Sequence, residues 1–358
     1  MNMKFYYIYA IAFALTINAC GERAQSQNQV EELSSIQDKA RIELIKSDDK
    51  VDVMVDGKLF TSLSWPEGVY KPVLYPINNA AGTEITRGFP LKPRAGERAD
   101  HRHHVGNWLN YGNVNGFDFW GNGHTGERSP NGGEIKFKGI EKLESGNEEG
   151  LMITNASWLD PEENELLTEK TEYHFIADNN NRIIDRIVTL TASVETVHFD
   201  DTKEGMFGIR VARQLELPSD GNMTLIDAEG NISKVKGVND GVTGDYISSA
   251  GEKGLSVWGT RAKWMNLFGS IGDEKISVVM EGHPKNINHP TYWHARGYGL
   301  FAANPLGVRD FTKKEQELNF KLTKGESITF RYRIIISAGK HLSKKDCNKY
   351  FDDFASKY

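Results

Sequence analysis

From Ile42 onward, apolar and polar residues alternate with a period of two rather than 3.6. Ile42 and Leu44, then Val51, Val53 and Val55, lie between polar neighbours on either side of an Asp48-Asp49 turn, and Asp56-Gly57 is a hairpin signal. Similar short runs recur at Glu134–Phe137, Leu151–Ala156, Leu166–Ile176, Arg182–Val194, Phe207–Leu217, Gly254–Trp258, Lys275–Met280 and Ser327–Ile336. Turn residues separate them, among them Asp178-Asn179-Asn180-Asn181, Pro218-Ser219-Asp220-Gly221 and Asp240-Gly241. Many short strands so spaced predict an all-β fold: a large antiparallel two-sheet sandwich, of which a mutarotase-type supersandwich is one form. No fixed-period repeat is present, which argues against a propeller or solenoid. Helical patterns are confined to Val30–Ala40, weakly amphipathic, and Lys344–Lys357, where Ser343 as N-cap and Asp346 in the first turn make a capping-box start.

The N-terminus reads as an address. Lys4 precedes an apolar stretch, Phe5–Ile17, too short to span a bilayer comfortably, and Ile17-Asn18-Ala19-Cys20 resembles a bacterial lipobox. The expected organisation is a signal peptide over 1–19, a flexible tether over 20–40 and a single β-sandwich domain over 41–358. The protein would then be exported and held to a bacterial membrane by lipid on Cys20, facing the periplasm or the cell exterior. The alternative is a plain signal peptide with a passive Cys20. No second long apolar run follows, which excludes a multi-span membrane protein. Across 358 residues, 26% are charged and the formal net charge is −6, so the dominant basic field of a nucleic-acid binder is absent. Two cysteines cannot make a disulfide framework. Oligomeric state is left open.

Between residues 76 and 133 the periodicity fades into a segment rich in Gly, Asn, Pro, His and Arg. A loop that long in a compact domain is usually functional, and its Trp108, Tyr111, Phe117, Phe119 and Trp120 argue against disorder. It contains Arg87, Arg94 and the run Asp100-His101-Arg102-His103-His104. If that run is extended, His101 and His103 share one face and His104 takes the other. Such a pair can hold a divalent metal, face a substrate, or belong to a solvated polar turn. The neighbouring arginines favour an anionic ligand, since guanidinium forks match carboxylate and sulfate oxygens. No cofactor is expected, with a metal at His101 and His103 left open. A second segment, His289 to Gly299, read as a strand, puts Tyr292, His294, Arg296 and Tyr298 on one face. A third, Asp201 to Ala212, buries Phe207, Ile209 and Val211 and turns Arg210 to the opposite face, with Lys203 and Glu204 reading as a turn pair that could fold over a pocket. Nucleotide-binding glycine motifs, Gly-x-Ser-x-Gly and zinc-type cysteine pairs are missing.

The runs Lys71–Pro76, Arg87–Pro90, Asp100–Trp108, Asn115–Trp120, Asp201–Gly205 and His289–Gly297 together resemble the PmoA-like family, whose name borrows from methane oxygenase. Within it the chain looks like an oligosaccharide dehydratase acting on ulvan-type uronate fragments. The resemblance implies a hydro-lyase that removes water from a non-reducing-end uronate of acidic, sulfated oligosaccharides and leaves a 4,5-unsaturated end. That reaction removes a weakly acidic C5 proton beside a carboxylate, so it needs a base, an acid for the departing hydroxyl and cations on the carboxylate. His103 and His294 are the expected acid/base pair with Tyr298, and His101 stands beside them. Arg87, Arg94, His104, Trp108, Lys203, Arg210, Tyr292 and Arg296 are the expected substrate contacts, and Trp120 and Trp293 could stack on sugar faces. The rival readings are a non-catalytic glycan-binding lipoprotein, a metal-dependent sugar hydrolase or oxygenase, and a mutarotase-like epimerase.

Overall fold

Three hydrophobic positions in six residues start the fold. Val51, Val53 and Val55 all point inward from the strand Lys50–Val55. Its hairpin partner, Lys58–Ser64, returns through Asp56 and Gly57, both at positive φ, as a tight two-residue turn between right-twisted strands requires. Asn179, at φ +49°, and Asn180 close a second two-residue hairpin between Glu165–Asp178 and Asn181–Ala192. The computed structural model describes Met1 and residues 40–358, and residues 40–358 form one compact unit. The signal peptide, Cys20 and the helix expected over Val30–Ala40 lie outside the described residues, Ala40 excepted.

Ten strands form one antiparallel sheet. Its spatial order is Arg261–Ala262, Thr291–Ala295, Leu300–Asn304, Gly205–Arg210, Asn107–Tyr111, Val73–Ile77, Lys58–Ser64, Lys50–Val55, Arg41–Lys46 and Gly146–Asn147. An eight-stranded antiparallel sheet runs Asp245–Ser248, Trp264–Ile271, Glu274–Gly282, Ser327–Ala338, Asn181–Ala192, Glu165–Asp178, Glu149–Leu159 and Glu134–Glu144. One hydrophobic core joins them. Phe207, Ile209, Leu109 and Phe301 from the first sheet pack with Tyr332, Ile334 and Val278 from the second, and the rings of Phe207 and Tyr332 stack at 4.8 Å. The fold is therefore the all-β, two-sheet form that the alternation predicts. The C-terminal helix Lys344–Lys357 begins on the expected reciprocal Ser343–Asp346 capping box. Among the described residues no helix is long and apolar enough to cross a membrane.

Because side chains alternate across a strand, residues between the core positions of the ten-stranded sheet emerge on its outer face. Trp108, Arg210, His294, Leu300 and Ala302 do so, and a smaller cluster of Val73, Tyr75, Val105, Trp108, Trp120, Leu300 and Ala302 forms there. This outer layer carries the site. Gly208 makes room for it, since a Cβ there would lie 2.9 Å from the Trp108 ring.

Three expectations change. The run Phe207–Leu217 is not one strand: the strand Gly205–Arg210 ends and a 3-10 turn, Arg213–Leu215, follows. Gly254–Val257 is a 3-10 turn, not a strand, entered at Gly254 with φ +56°. The aperiodic stretch 76–133 hides the strand Asn107–Tyr111, buried at every position and so without alternation.

Candidate active site

The histidine run is a turn, not a strand. His101 takes φ +43°, an uncommon value for a side chain of its size and one often met at functional sites. The consequence is that His101, His103 and His104 all line the same cavity of about 360 Å³. They do not divide between two faces. The opposite wall comes from His294 on the strand Thr291–Ala295 and from Arg296 and Tyr298 in the turn after it, with Glu204, Asp118 and Trp120 completing the lining.

The turn is held from below by buried charge. Both terminal nitrogens of Arg87 donate to the loop: Nη1 to the Asp100 carboxylate and the Arg98 and Asp100 carbonyls, Nη2 to the carbonyls of His101 and His104. Arg210 donates to the same Asp100 oxygen at 2.7 Å, and its guanidinium lies 4.9 Å from the Tyr298 ring centroid. Burial pushes the Asp100 carboxyl up, but Arg210, then the His101 ring and Arg87, outweigh it and hold the carboxyl far below its usual range. His101 Nδ1 lies 3.2 Å from that carboxylate, and its ring is stacked between Tyr298 at 5.0 Å and His104 at 4.9 Å. Lys71, fully buried, donates to the His103 carbonyl at 2.7 Å, and burial, partly offset by Asp118, lowers its pKa to about 7.

The imidazoles differ sharply. His103 Nδ1 faces His124 Nδ1 at 3.2 Å, so one ring donates and the other accepts. Burial, with Lys71 and His101 adding, lowers the His103 pKa to about 2. His104 is buried against Trp108 at 5.2 Å, its Nδ1 3.3 Å from Arg210, and burial drives its pKa well down. His294 is 1% exposed, and neither ring nitrogen has a partner at hydrogen-bonding geometry; the Glu204 carboxylate stands 4.0 Å from Nδ1. Burial, reinforced by Arg296 and Lys203, lowers its pKa to about 3. His103 and His294 are therefore neutral near pH 7 and able to accept a proton or hydrogen bond. Burial raises the Tyr298 phenol, which stays protonated and able to donate. Burial likewise raises the Asp118 carboxyl, against backbone hydrogen bonds from Gly121 and Trp120. Around the cavity, Arg87, Arg210, Lys203 and Arg296, with Lys71 partly protonated near neutrality, outnumber the carboxylates of Asp100, Asp118 and Glu204, so the site favours an anion.

Several expected substrate contacts are placed elsewhere. Arg87 is engaged through both terminal nitrogens by the loop beneath the cavity. Arg94 pairs with Glu84 at 3.0 Å and Glu97 at 2.7 Å, away from the histidines. Trp108 and Trp293 have no exposed surface: the first backs His104, the second belongs to the core. Tyr292 stacks on Phe311 at 5.1 Å in a separate apolar cluster. Arg210 props Asp100 and Tyr298 without lining the cavity. Lys203 pairs with Glu204 at 2.9 Å at the rim, as a turn pair would, yet Glu204 itself lines the cavity. His101, His103, His104, His294, Arg296 and Tyr298 do converge. The sequence reading raised Glu204 only as a turn residue that could fold over a pocket, and gave no role to His124, Asp118 or Lys71. Only the charge-pair pattern around Glu204 gave a signal. Among the described residues no group of three or more His, Cys, Asp or Glu side chains has the spacing to hold a metal ion.

The fold and site define an all-β protein with a histidine-rich, anion-favouring cavity on the outer face of one sheet. The chain belongs to DUF6807, a family of unknown function, whose model matches residues 50–352. No curated protein matches the sequence. Among solved structures it is similar to a protein from Escherichia coli K12 provisionally described as an aldose 1-epimerase, at 10% identity over 83% of this chain and 99% of that one, with a TM-score of 0.33. A galactose mutarotase-related enzyme from Lactobacillus acidophilus follows at 11% identity, 84% and 97% coverage and a TM-score of 0.29. The galactosidase domain of the alpha-galactosidase-sucrose kinase AgaSK gives 8% identity over 82% of this chain and a TM-score of 0.35, and the match spans 40% of that chain.

Proposed function

We propose that this protein is a carbohydrate-active hydro-lyase that removes water from a uronate at the non-reducing end of an acidic oligosaccharide. The observation that carries the proposal is His294: a neutral, buried imidazole with both nitrogens unpartnered, facing Asp100-held His101 and Tyr298 across a cavity whose surplus charge is positive. An unpartnered buried ring is costly and calls for a ligand to complete it. A carboxylate beside Arg296 supplies both the counter-charge and, at the carbon next to it, the acidic proton.

The step balances without an oxidant or reductant. His294 takes the C5 proton and becomes an imidazolium, which the substrate carboxylate and Glu204 stabilise and which offsets its low basicity in the empty site. The electron pair forms the C4–C5 double bond as the C4–O bond breaks. His101 or Tyr298 gives a proton to the leaving hydroxyl, which departs as water. Arg296 holds the carboxylate while negative charge accumulates on it. His103, tied to His124 and Lys71, fits a positioning role better than the direct acid/base role expected of it. Lipid attachment through Cys20 would place the reaction outside the cytoplasm, where polysaccharide fragments arise.

Mass spectrometry of uronate-terminated oligosaccharides after incubation with the pure protein tests the proposal. A product lighter by one water supports it. An unchanged mass with a changed anomeric or epimeric signal points to an epimerase, and an unchanged substrate points to a binding protein. Either result overturns the dehydration reading.

A further inference from the structure

The active-site cavity has a neighbour. A second cavity, of about 570 Å³, opens on the other side of Arg296 and Tyr298, which line both. Gly297, Leu217, Trp258 and Leu255 give it apolar surface, and Ser219, Asn222 and the carboxylate of Asp220 a polar edge. Leu255 is 68% exposed, one of few large apolar side chains left so open. Arg296 forms the partition. Its guanidinium lies 5.3 Å from the Trp258 ring centroid and is hydrogen-bonded to the Tyr298 phenol, and among the described residues no carboxylate pairs with it. Arg87, Arg98, Arg210 and Arg213 close by all pair with carboxylates, whereas Arg296 and Arg102 do not, and of these two only Arg296 lines the cavities.

We infer that the second cavity seats the next sugar unit of the same oligosaccharide, with Arg296 reading an anionic group at the junction of the two units. This rests on the proposed reaction and adds where the chain continues. Apolar surface together with a polar edge suits a pyranose, which offers a C–H face and a hydroxyl rim. A shared arginine fixes the position of one unit relative to the other, so binding of the second unit helps hold the first in place for chemistry.

The test is calorimetric binding of free glucuronic acid and of two- and four-unit oligosaccharides ending in glucuronate, to the wild-type chain and to Leu255→Asp. Leu255 touches no proposed catalytic group and is exposed, so the variant should keep its melting temperature, which is measured alongside. The expected result is at least about tenfold tighter binding of the oligosaccharides than of glucuronic acid, about 1.4 kcal/mol. Leu255→Asp loses that gain and leaves the affinity for glucuronic acid unchanged. A wild-type affinity independent of length, or a gain retained in Leu255→Asp, overturns the inference. Length-dependent binding without loss of water would leave the second subsite standing and sink the dehydratase reading; loss of water with length-independent binding would do the reverse. No binding by any member overturns both.

Discussion

Two histidine- and arginine-bearing segments build the cavity, and they are built in opposite ways. In the segment from Arg87 to His104 the charges are spent on one another and on the main chain, although Arg87 Nε, His101 Nδ1 and His104 Nε2 lack a partner at hydrogen-bonding geometry: Arg87 donates to a carboxylate and to main-chain carbonyls, and Asp100 receives two guanidinium groups. The segment from His294 to Tyr298 is more open: His294 lacks a partner on both nitrogens, and Arg296 has no carboxylate partner among the described residues. Buried polar groups are normally paired, because an unpaired one forfeits its hydration with nothing in return. The first segment is thus a frame whose charges serve the fold, and the second is the part that a ligand completes. Two arginines that look alike in the sequence differ in kind for this reason.

The largest effect expected from this contrast is on stability. Arg87→Ala leaves Asp100 short of a partner and frees the carbonyls of the histidine turn, and should cost about 3–5 kcal/mol in denaturant unfolding, with turnover falling as a consequence. Normal stability with lost turnover would move Arg87 from frame to substrate contact. The mirror experiment is Arg296→Ala. Its stability should change by no more than about 0.5 kcal/mol. Its affinity for a uronate-terminated oligosaccharide should drop by about 1.5–3 kcal/mol, the worth of hydrogen bonds to a charged group. A large loss of stability would place Arg296 in the frame instead.

A further effect, shared by the two segments, depends on pH. The folded pKa values of His103 and His294, about 2 and about 3, lie below the unfolded value of 6.5. The unfolded chain therefore binds more protons, and the stability of the neutral, buried rings is present above the unfolded value. It is lost as pH falls from about 6.5 toward the folded values, by up to about 1.4 kcal/mol per pH unit for each ring. Urea unfolding at pH 7 and pH 5 should show the decline, and His294→Gln should make it shallower. An identical slope in the variant would mean that His294 is not held neutral in the folded protein.

The sheets were legible where a strand has one wetter face, which prints a period of two on Val51–Val55 or Thr171–Ile176. Asn107–Tyr111 escaped notice because burial on every side erases that period. The C-terminal helix was legible down to its cap, since Ser343 and Asp346 act within one turn. The two site segments stood out by residue type, but type does not say which side chain finds a partner. Arg87 and Arg296 differ only through Asp100 and the loop carbonyls. His101 reached the cavity through a left-handed turn that no spacing rule encodes. Lys71, Asp118 and Glu204 lie within the family-like runs and His124 outside them, but no spacing assigns any of the four a role, and only the folded chain brings them to the histidines.

Turnover of a uronate-terminated oligosaccharide by His294→Ala, beside wild type at matched folded concentration, bears most directly on the open segment as the reactive one. With the melting temperature retained, formation of the unsaturated, water-depleted product should fall by at least about a hundredfold, the usual scale for a lost acid/base group. Product formation at the wild-type rate would show that the unpartnered imidazole does no chemistry.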